Sequence, residues 1–546
     1  MTTAAGVLAA TLAEHGVDRV FCVPGESFLD LLAELARRGV DIVTARHESG
    51  AAFMALADAK LTGRAGVVLV NRGPGATNAA IAVHSADLDA TPLLMIVGDV
   101  RVASAGRGWF QELDAPAAFG AMSRRVLTLR EPEAAGEFAA RAWAAAHGPT
   151  PGPAVLCVPE DVLTGPGGAV RQPARRWPAV PAESFTDAVI GLLNSAQRPL
   201  VLAGSAVDND PDGRAALRDA AHRHGLAVAV TNKRQDLYPN DDPHYAGHLH
   251  LATQAEQRDR LARADLVVAV GTRLDPVTTQ GFRLPAAGQT VVQVHPDAAA
   301  IGTGCPTAHG CAASPARFLL DLARRPATGG PHRDRGWHDE LVDWEAGQSR
   351  WSPVDADDGV AFGHVVAALP PECADAVVTL DAGSFTSWVH RYHRVTTGRL
   401  LGIASSAMGF GVPAAVAAAL RRPDRAVIAM VGDGGFQMTG AELATAVQRG
   451  ARLTVVVADN GSLGTIRQHQ ERGHPGLDLG TGLRNPDFAA LARSHGALGL
   501  AVESPDEAEP ALAKALACAG PALVHVRTSL RHISAYAHLD DLRRAP

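Results

Sequence analysis

The stretch AVIAMVGDGGFQMTGAELATAVQRGARLTVVVADNGSLGTIR, residues 426–467, decides the fold. Its apolar run at 427–431 has the length of a buried strand and is too short for a buried helix. The run breaks at Gly432-Asp433-Gly434-Gly435, and a helical pattern follows over 439–449. A second β-branched run, 453–457, stops at Asp459-Asn460-Gly461. Two parallel strands therefore end level, each with an oxygen-bearing side chain just past its C-terminal tip, where open α/β sheets place ligands. An Asp carboxylate and an Asn carbonyl beside glycines suit a hard cation that holds a diphosphate.

Working outward, 546 residues exceed one core, and three domains are expected. A hydrophobic content of 47% with 20% charged residues is that of an ordinary soluble protein. A net charge of −7 offers no basic patch, which argues against nucleic acid as a partner. Lysine occurs only at 60, 233 and 514, with arginine elsewhere, and this reads as codon bias. The six cysteines include no CxxC pair, so reduced thiols and a cytoplasmic location are expected. No basic segment precedes an apolar block at the N-terminus, and no apolar run reaches about 18 residues, so neither export nor a membrane span is expected.

Residues 1–165 alternate strand candidates (19–23, 42–45, 66–70, 93–97, 154–158) with helices near 27–38, 48–61 and 76–88. This is the rhythm of a parallel, doubly wound open sheet. The Gly/Pro/Arg-rich stretch 164–182 reads as a linker. A central α/β unit, 183–328, has strands at 199–203, 227–230, 266–270 and 291–294. Gly204 and Gly271 follow two of these; a dinucleotide site and simple tight strand exits are the two readings, and neither glycine extends to GxGxxG. After a second linker, 325–336, the third α/β unit (340–546) begins with a helical segment and a strand at 377–380, holds the opening stretch, and ends with a helix at 505–518 and a strand at 522–526.

Several residues could carry chemistry. Glu48, in Arg46-His47-Glu48, opens a small-residue helix. It is either an acid favoured at a helix N-terminus or a desolvated carboxylate set for proton transfer. GPGATN (73–78) reads as a glycine turn before a helix; without a Walker lysine it is no P-loop, and close approach of the backbone to a partner or cofactor fits better. His84, one to two turns into that helix, is a core histidine or a catalyst. Gln111 lies in a loop and either hydrogen-bonds substrate or faces water.

Taken together, ArgHisGlu at 46–48, GPGATN at 73–78, PheGlnGlu at 110–112, AMGFGVP at 407–413, and the Gly432-Asp433-Gly434 to Asn460 stretch resemble thiamine diphosphate-dependent enzymes of the acetolactate synthase and 2-oxo acid decarboxylase family. The resemblance spans nearly the whole chain. It implies three domains, pyrimidine-binding, central and diphosphate-binding, and two cofactors, thiamine diphosphate and Mg2+. Asp433 and Asn460 would bind Mg2+ through side chains and Ser462 through its carbonyl. Gly432, Gly434, Gly435 and the Thr439 region would meet the diphosphate. Met408 would be the wedge that bends the cofactor, with the Ser406 carbonyl near its 4′-amino group. Pro24, Gly25, Thr77, Asn78 and Leu463 complete the implied cofactor contacts, and Glu48, Gln111 and His84 the implied catalytic set. Glu48 would hydrogen-bond N1′ of the aminopyrimidine and promote loss of the thiazolium C2 proton. In such enzymes Glu48 and the Mg2+ site come from different subunits, which implies a homodimer or homotetramer.

The sequence also departs from the family. Asp459 replaces the first Asn of the usual pair, Leu463 stands where relatives carry an aromatic or histidine, and 464–470 lacks the tryptophan of biosynthetic acetolactate synthases. Ser384-Phe385 replaces their Gln-His, and Arg467 and His469 stand near the substrate end. The leading expectation is acetolactate synthase-like carboligation from a 2-oxo acid such as pyruvate. The alternatives are a non-ligating decarboxylase similar to benzoylformate decarboxylase, a flavin- or nicotinamide-dependent oxidoreductase, and a non-catalytic relative. FAD in the central domain is left open: GTRLDPVT (271–278) has some likeness to the flavin-contacting strand end of flavin-binding relatives.

Overall fold

The computed structural model describes residues 2–174 and 177–544. Each apolar run read above pairs in parallel with its neighbours, giving three six-stranded sheets. In the first, the spatial order is Asp41–Thr44, Arg19–Cys22, Gly66–Asn71, Leu93–Asp99, Pro153–Pro159, Arg125–Thr128. In the third it is Arg399–Leu401, Val377–Leu380, Val427–Gly432, Thr454–Asp459, Ala522–Arg527, Leu498–Val502. Both follow the same winding. The chain reverses direction between the first and third strands of each, and that is where a ligand crevice forms. The central sheet runs His309–Ala312, Thr290–His295, Leu266–Val270, Pro199–Ala203, Ala227–Val230, Tyr245–His248.

The five strands that sequence reading misses, Arg125–Thr128, Tyr245–His248, His309–Ala312, Arg399–Leu401 and Leu498–Val502, all lie at sheet edges. Edge strands need not be apolar on both faces, so their sequences lack the continuous runs of the inner strands. His309–Ala312, for example, is mostly exposed.

Two expected glycine turns are helical. The helix Arg72–Asp89 already includes the GPGATN stretch. A Cβ on Gly73 would lie 2.9 Å from the Gln111 carbonyl oxygen, so glycine lets the first turn form against that loop. Asp433 likewise begins the helix Asp433–Thr439, and the helical pattern expected from Thr439 resumes as Leu443–Arg449. The linker 164–182 carries no strand or helix beyond Thr164 among its described residues; its Arg175 and Arg176 lie outside the described residues, as do Ala545 and Pro546 of the third unit.

The first and third domains share a core. The small-residue helix Glu48–Thr62 packs on Gly411–Arg421, with Phe53 edge-on to Phe410 at a centroid separation of 5.8 Å. Alanines on both helices allow this close approach, which explains a composition that sequence alone leaves unexplained. Arg399 joins all three domains: it donates to Asp236 Oδ2 at 2.8 Å and to the Lys60 carbonyl at 3.2 Å. All six cysteines are free. Among the described residues, no helix is long and apolar enough to cross a membrane.

Candidate active site

Strands Val427–Gly432 and Thr454–Asp459 are in register, with Gly432 opposite Ala458, so Asp433 and Asn460 emerge side by side as the sequence predicts. They line a cavity of about 660 Å³ together with Ser406, Met408, Ser462 and Leu463. Gly432, Gly434 and Gly435 form part of its wall. A Cβ on Gly434 would sit 2.9 Å from Leu463 Cδ2 and 3.1 Å from Met408 Cε, so these two apolar tips converge over bare backbone. Asn460 Oδ1 accepts from the Ser462 amide at 3.0 Å and sets the turn that follows the strand.

The charges here are arranged in two tiers. Asp433 is buried, and that burial, together with the nearby Asp459 charge, pushes its carboxyl up to about 6. Burial would also raise Asp459, but hydrogen bonds from His525 and Asn485 and the charge of Arg527 hold it at about 2. His525 Nε2 and Arg527 Nη1 each lie 2.7 Å from Asp459 Oδ2. The unusual Asp459 is therefore neutralised from the next strand, away from the cavity. Asn485 Nδ2 joins the tiers, donating to Asp433 Oδ2 at 2.7 Å and to Asp459 Oδ1 at 2.6 Å.

Asp381 shapes the opposite wall. It is buried at the end of Val377–Leu380 and accepts from the amides of Ala382 at 2.7 Å, Gly409 at 2.9 Å and Gly411 at 3.0 Å. These bonds hold the Ser406–Gly411 loop, in which Ser406 adopts φ +52° and Gly409 φ +91°. Thr439 stands at the far end of its helix rather than at the start, and its hydroxyl donates to the Gly409 carbonyl at 2.7 Å. It braces the loop and does not face the cavity, a correction to its expected diphosphate contact. Asp381 and Asn485 were not singled out from sequence. Only the position of Asp381 just past a strand could have marked it; Asn485 lies in an irregular segment with no motif.

The N-terminal candidates gather elsewhere. Glu48 begins its helix, and its Oε2 accepts from Asn78 Nδ2 at 2.9 Å. Gly75 lies against Glu48, and the Gly73 amide donates to the Gln111 carbonyl at 2.9 Å. Gly25 packs on Asn71, with exposed Pro24 beside it. Gln111 has φ +63°, and its Oε1 is buried without a partner, so it does not simply face water. His84 lies more than three turns into its helix and is exposed, which removes the core reading. Among the described residues the cavity is lined from the central and C-terminal domains, and Glu48, Thr77, Asn78, His84 and Gln111 are not part of it. The candidate residues thus fall into two groups, each at the strand ends of its own sheet.

Arg467, expected near substrate, is buried against Glu471 and the Leu477 carbonyl; His469 does line the cavity. In the central domain, a Cβ on Gly204 would lie 2.6 Å from the Gly271 carbonyl oxygen. The two glycines pack on each other at adjacent strand exits, as the tight-exit reading expects.

This pairing of two like-wound α/β domains with a glycine-walled cavity that carries, among the described residues, a single carboxylate, Asp433, defines a cofactor-binding class, and comparison with known families agrees. The N-terminal thiamine pyrophosphate-binding domain matches residues 2–118, the central domain of the same enzymes 186–322, and the C-terminal thiamine pyrophosphate-binding domain 381–526. The chain belongs to the thiamine pyrophosphate enzyme family. It is 32% identical to the "Probable 2-ketoarginine decarboxylase AruI" of Pseudomonas aeruginosa, covering 96% of this chain and 94% of that one. It is 30% identical to the acetolactate synthase large subunit of Parasynechococcus marenigrum (96% and 87%) and 29% to the catabolic acetolactate synthase of Raoultella terrigena (96% and 95%).

Proposed function

We propose that this protein is a thiamine diphosphate- and Mg2+-dependent enzyme that decarboxylates a 2-oxo acid and transfers the acyl unit to a carbonyl acceptor, as an acetolactate synthase does. The observation that carries the reading is the convergence of Asp433, Asn460, Ser462 and Met408 on one cavity in a member of this family. The donor set fits the cofactor: one carboxylate, one side-chain amide and a backbone carbonyl suit a small hard cation, and bare glycine backbone suits a diphosphate. Bound thiamine diphosphate supplies the electron sink for decarboxylation. The chain's own contributions are separate. Asp433, Asn460 and Ser462 would hold the metal; Met408 and Leu463, which converge over Gly434, would pack on the cofactor; Glu48 would hold and move a proton at the aminopyrimidine.

Because Glu48 lies outside the cavity of its own chain, a homodimer in which each N-terminal half-site closes a partner's cavity follows from this reading. The exposed face of Arg72–Asp89 supports it: Thr77, Ile81, His84 and Leu88 recur at helical spacing, with Ile81 39% and Leu88 43% exposed. FAD, left open on the likeness of 271–278, forms no part of the proposal.

The test is reconstitution with thiamine diphosphate and Mg2+, followed by product analysis on a panel of 2-oxo acids with and without an aldehyde acceptor. Ligated 2-hydroxy ketones or acetolactate support carboligation. Free aldehyde alone points to the non-ligating decarboxylase, and no turnover of any 2-oxo acid removes the proposal.

A further inference from the structure

One of only three lysines in the chain, Lys233, reaches the cavity from the central domain. It is 7% exposed and makes neither an ion pair nor a side-chain hydrogen bond within the described structure. The other two lysines are accounted for: Lys60 is buried against Asp89, and Lys514 is exposed. A buried ammonium without a partner is costly, and such groups are found paired or facing a ligand. The backbone at Lys233 is itself constrained, with φ +59°. Its stem lies over Gly402, where a Cβ would approach Lys233 Cδ to 3.1 Å. Chain geometry on both sides therefore holds this side chain against the cavity wall.

Its surroundings favour an anion. His248, His250 and His390 cluster beside it, with His248 stacked on His250 at 4.3 Å and 4.6 Å from His390. Burial holds all three well below the usual imidazole range, so they are neutral at pH 7 and do not supply competing charge. Gln235 Oε1 lies 3.0 Å from His390 Nδ1, while the Gln235 amide N–H groups serve Asn240 and two backbone carbonyls. That arrangement makes Nδ1 the donor and leaves His390 Nε2 an unpartnered acceptor, which does not favour an anion. The donor facing the cavity is His250, whose Nδ1 accepts from the Ala252 amide at 3.3 Å so that its Nε2 carries the proton. Burial also lowers Lys233 itself, to about 8, with Asp381 and Asp89 pulling the other way. It remains predominantly an ammonium at pH 7.

We infer that Lys233 is the carboxylate-binding residue of this enzyme, pairing with the 2-oxo acid carboxylate and so selecting anionic substrates over neutral carbonyl compounds. This rests on the 2-oxo acid reading above. The cofactor diphosphate is the other anion in reach of the cavity, and the cofactor titration in the test separates it from the substrate carboxylate.

The test compares wild type, Lys233→Met and Lys233→Arg, each loaded with thiamine diphosphate and Mg2+. A charged hydrogen bond to substrate predicts that Lys233→Met raises KM for the best 2-oxo acid about 10- to 100-fold. Ligation of a neutral aldehyde and the Kd for thiamine diphosphate should stay within about twofold, and Lys233→Arg should recover part of the KM. Equal losses on aldehyde and 2-oxo acid, weakened cofactor binding, or an unchanged KM would each overturn the assignment. A second readout needs no turnover. Trace acetylation of the loaded wild type with acetic anhydride, read by peptide mass, should modify Lys233 less when methyl acetylphosphonate is present, while Lys514 is unaffected. Wild type that turns over no 2-oxo acid defeats the functional proposal alone; absence of protection at Lys233 defeats this one.

Discussion

Asn78 donates its side-chain amide to Glu48 Oε2 at 2.9 Å, tying the second turn of Arg72–Asp89 to the first turn of Glu48–Thr62, two helices that follow the strands on either side of Arg19–Cys22. The bond orients a half-buried carboxylate outward, away from the core shared by the first and third domains. Replacing Glu48 by Gln preserves size and the contact to Asn78 while removing the acid. Turnover should fall by about 100-fold or more, the usual scale for a proton-transfer group, with melting temperature and thiamine diphosphate affinity nearly unchanged. Steady-state kinetics beside a cofactor titration will distinguish this from a structural defect, which would move all three.

Asp433 depends on Asn485 for the hydrogen bond that orients it and separates it from Asp459. Chelation should therefore abolish activity, and Mg2+ should restore it. In Asn485→Ala the Mg2+ concentration for half-activation should rise about 10-fold or more, as outer-shell changes do at metal sites. Retention of full Mg2+ affinity in that variant would mean Asp433 needs no such support.

Gly434 is a position where a methyl group has no room. In Gly434→Ala, the new Cβ meets the tips of Leu463 and Met408 at 2.9 and 3.1 Å. Both are flexible ends, so the fold should survive while the cavity narrows. Weaker thiamine diphosphate binding with little loss of thermal stability is expected, and adding Leu463→Ala should recover part of the affinity. Additive losses in the double variant would show that Leu463 is not the obstacle.

The inner strands and the level ends of Val427–Gly432 and Thr454–Asp459 are legible because they are buried on both faces and their sequences show it. Edge strands such as Arg125–Thr128 are not, since half-exposed positions tolerate any residue. At the site, Asp433 and Asn460 stand in a recognisable frame of glycines and strand. Asn485 and Lys233 do not: each reaches the site from a segment whose local sequence has other work, and their roles exist only in three dimensions. Asp459 illustrates the reverse case. Its extra charge reads as a departure, and the structure disposes of it through His525 and Arg527 on a neighbouring strand.

The junction of the three domains is electrostatic. Burial would raise Asp236, yet Arg214, Arg234 and Arg399 hold it at about 2. An unfolded Asp titrates near 3.9, so its pKa is depressed in the folded state. The resulting stabilisation, roughly 2–3 kcal/mol, is complete above about pH 4 and lost as the pH falls toward 2. Asp236→Asn should cost about 3–5 kcal/mol at neutral pH, because it leaves Arg214 and Arg399 short of a buried partner. Denaturant melts at pH 7 and pH 3 test both statements: the gap between wild type and variant should shrink at pH 3.

The separation of Glu48 from Asp433 within one chain yields the most decisive prediction about assembly. If each working site combines the N-terminal half of one subunit with the C-terminal half of another, Glu48→Gln and Asp433→Ala damage opposite sides of the same boundary. Homodimers of either variant have two broken sites. A heterodimer has one site with both lesions and one with neither. Equimolar mixing with random reassortment makes about half of the dimers mixed, each with one intact site of two, so about a quarter of wild-type activity should return. The unmixed variants should remain at background. Sites assembled within a single chain would give no recovery at any mixing ratio, because every chain in the mixture then carries its own lesion.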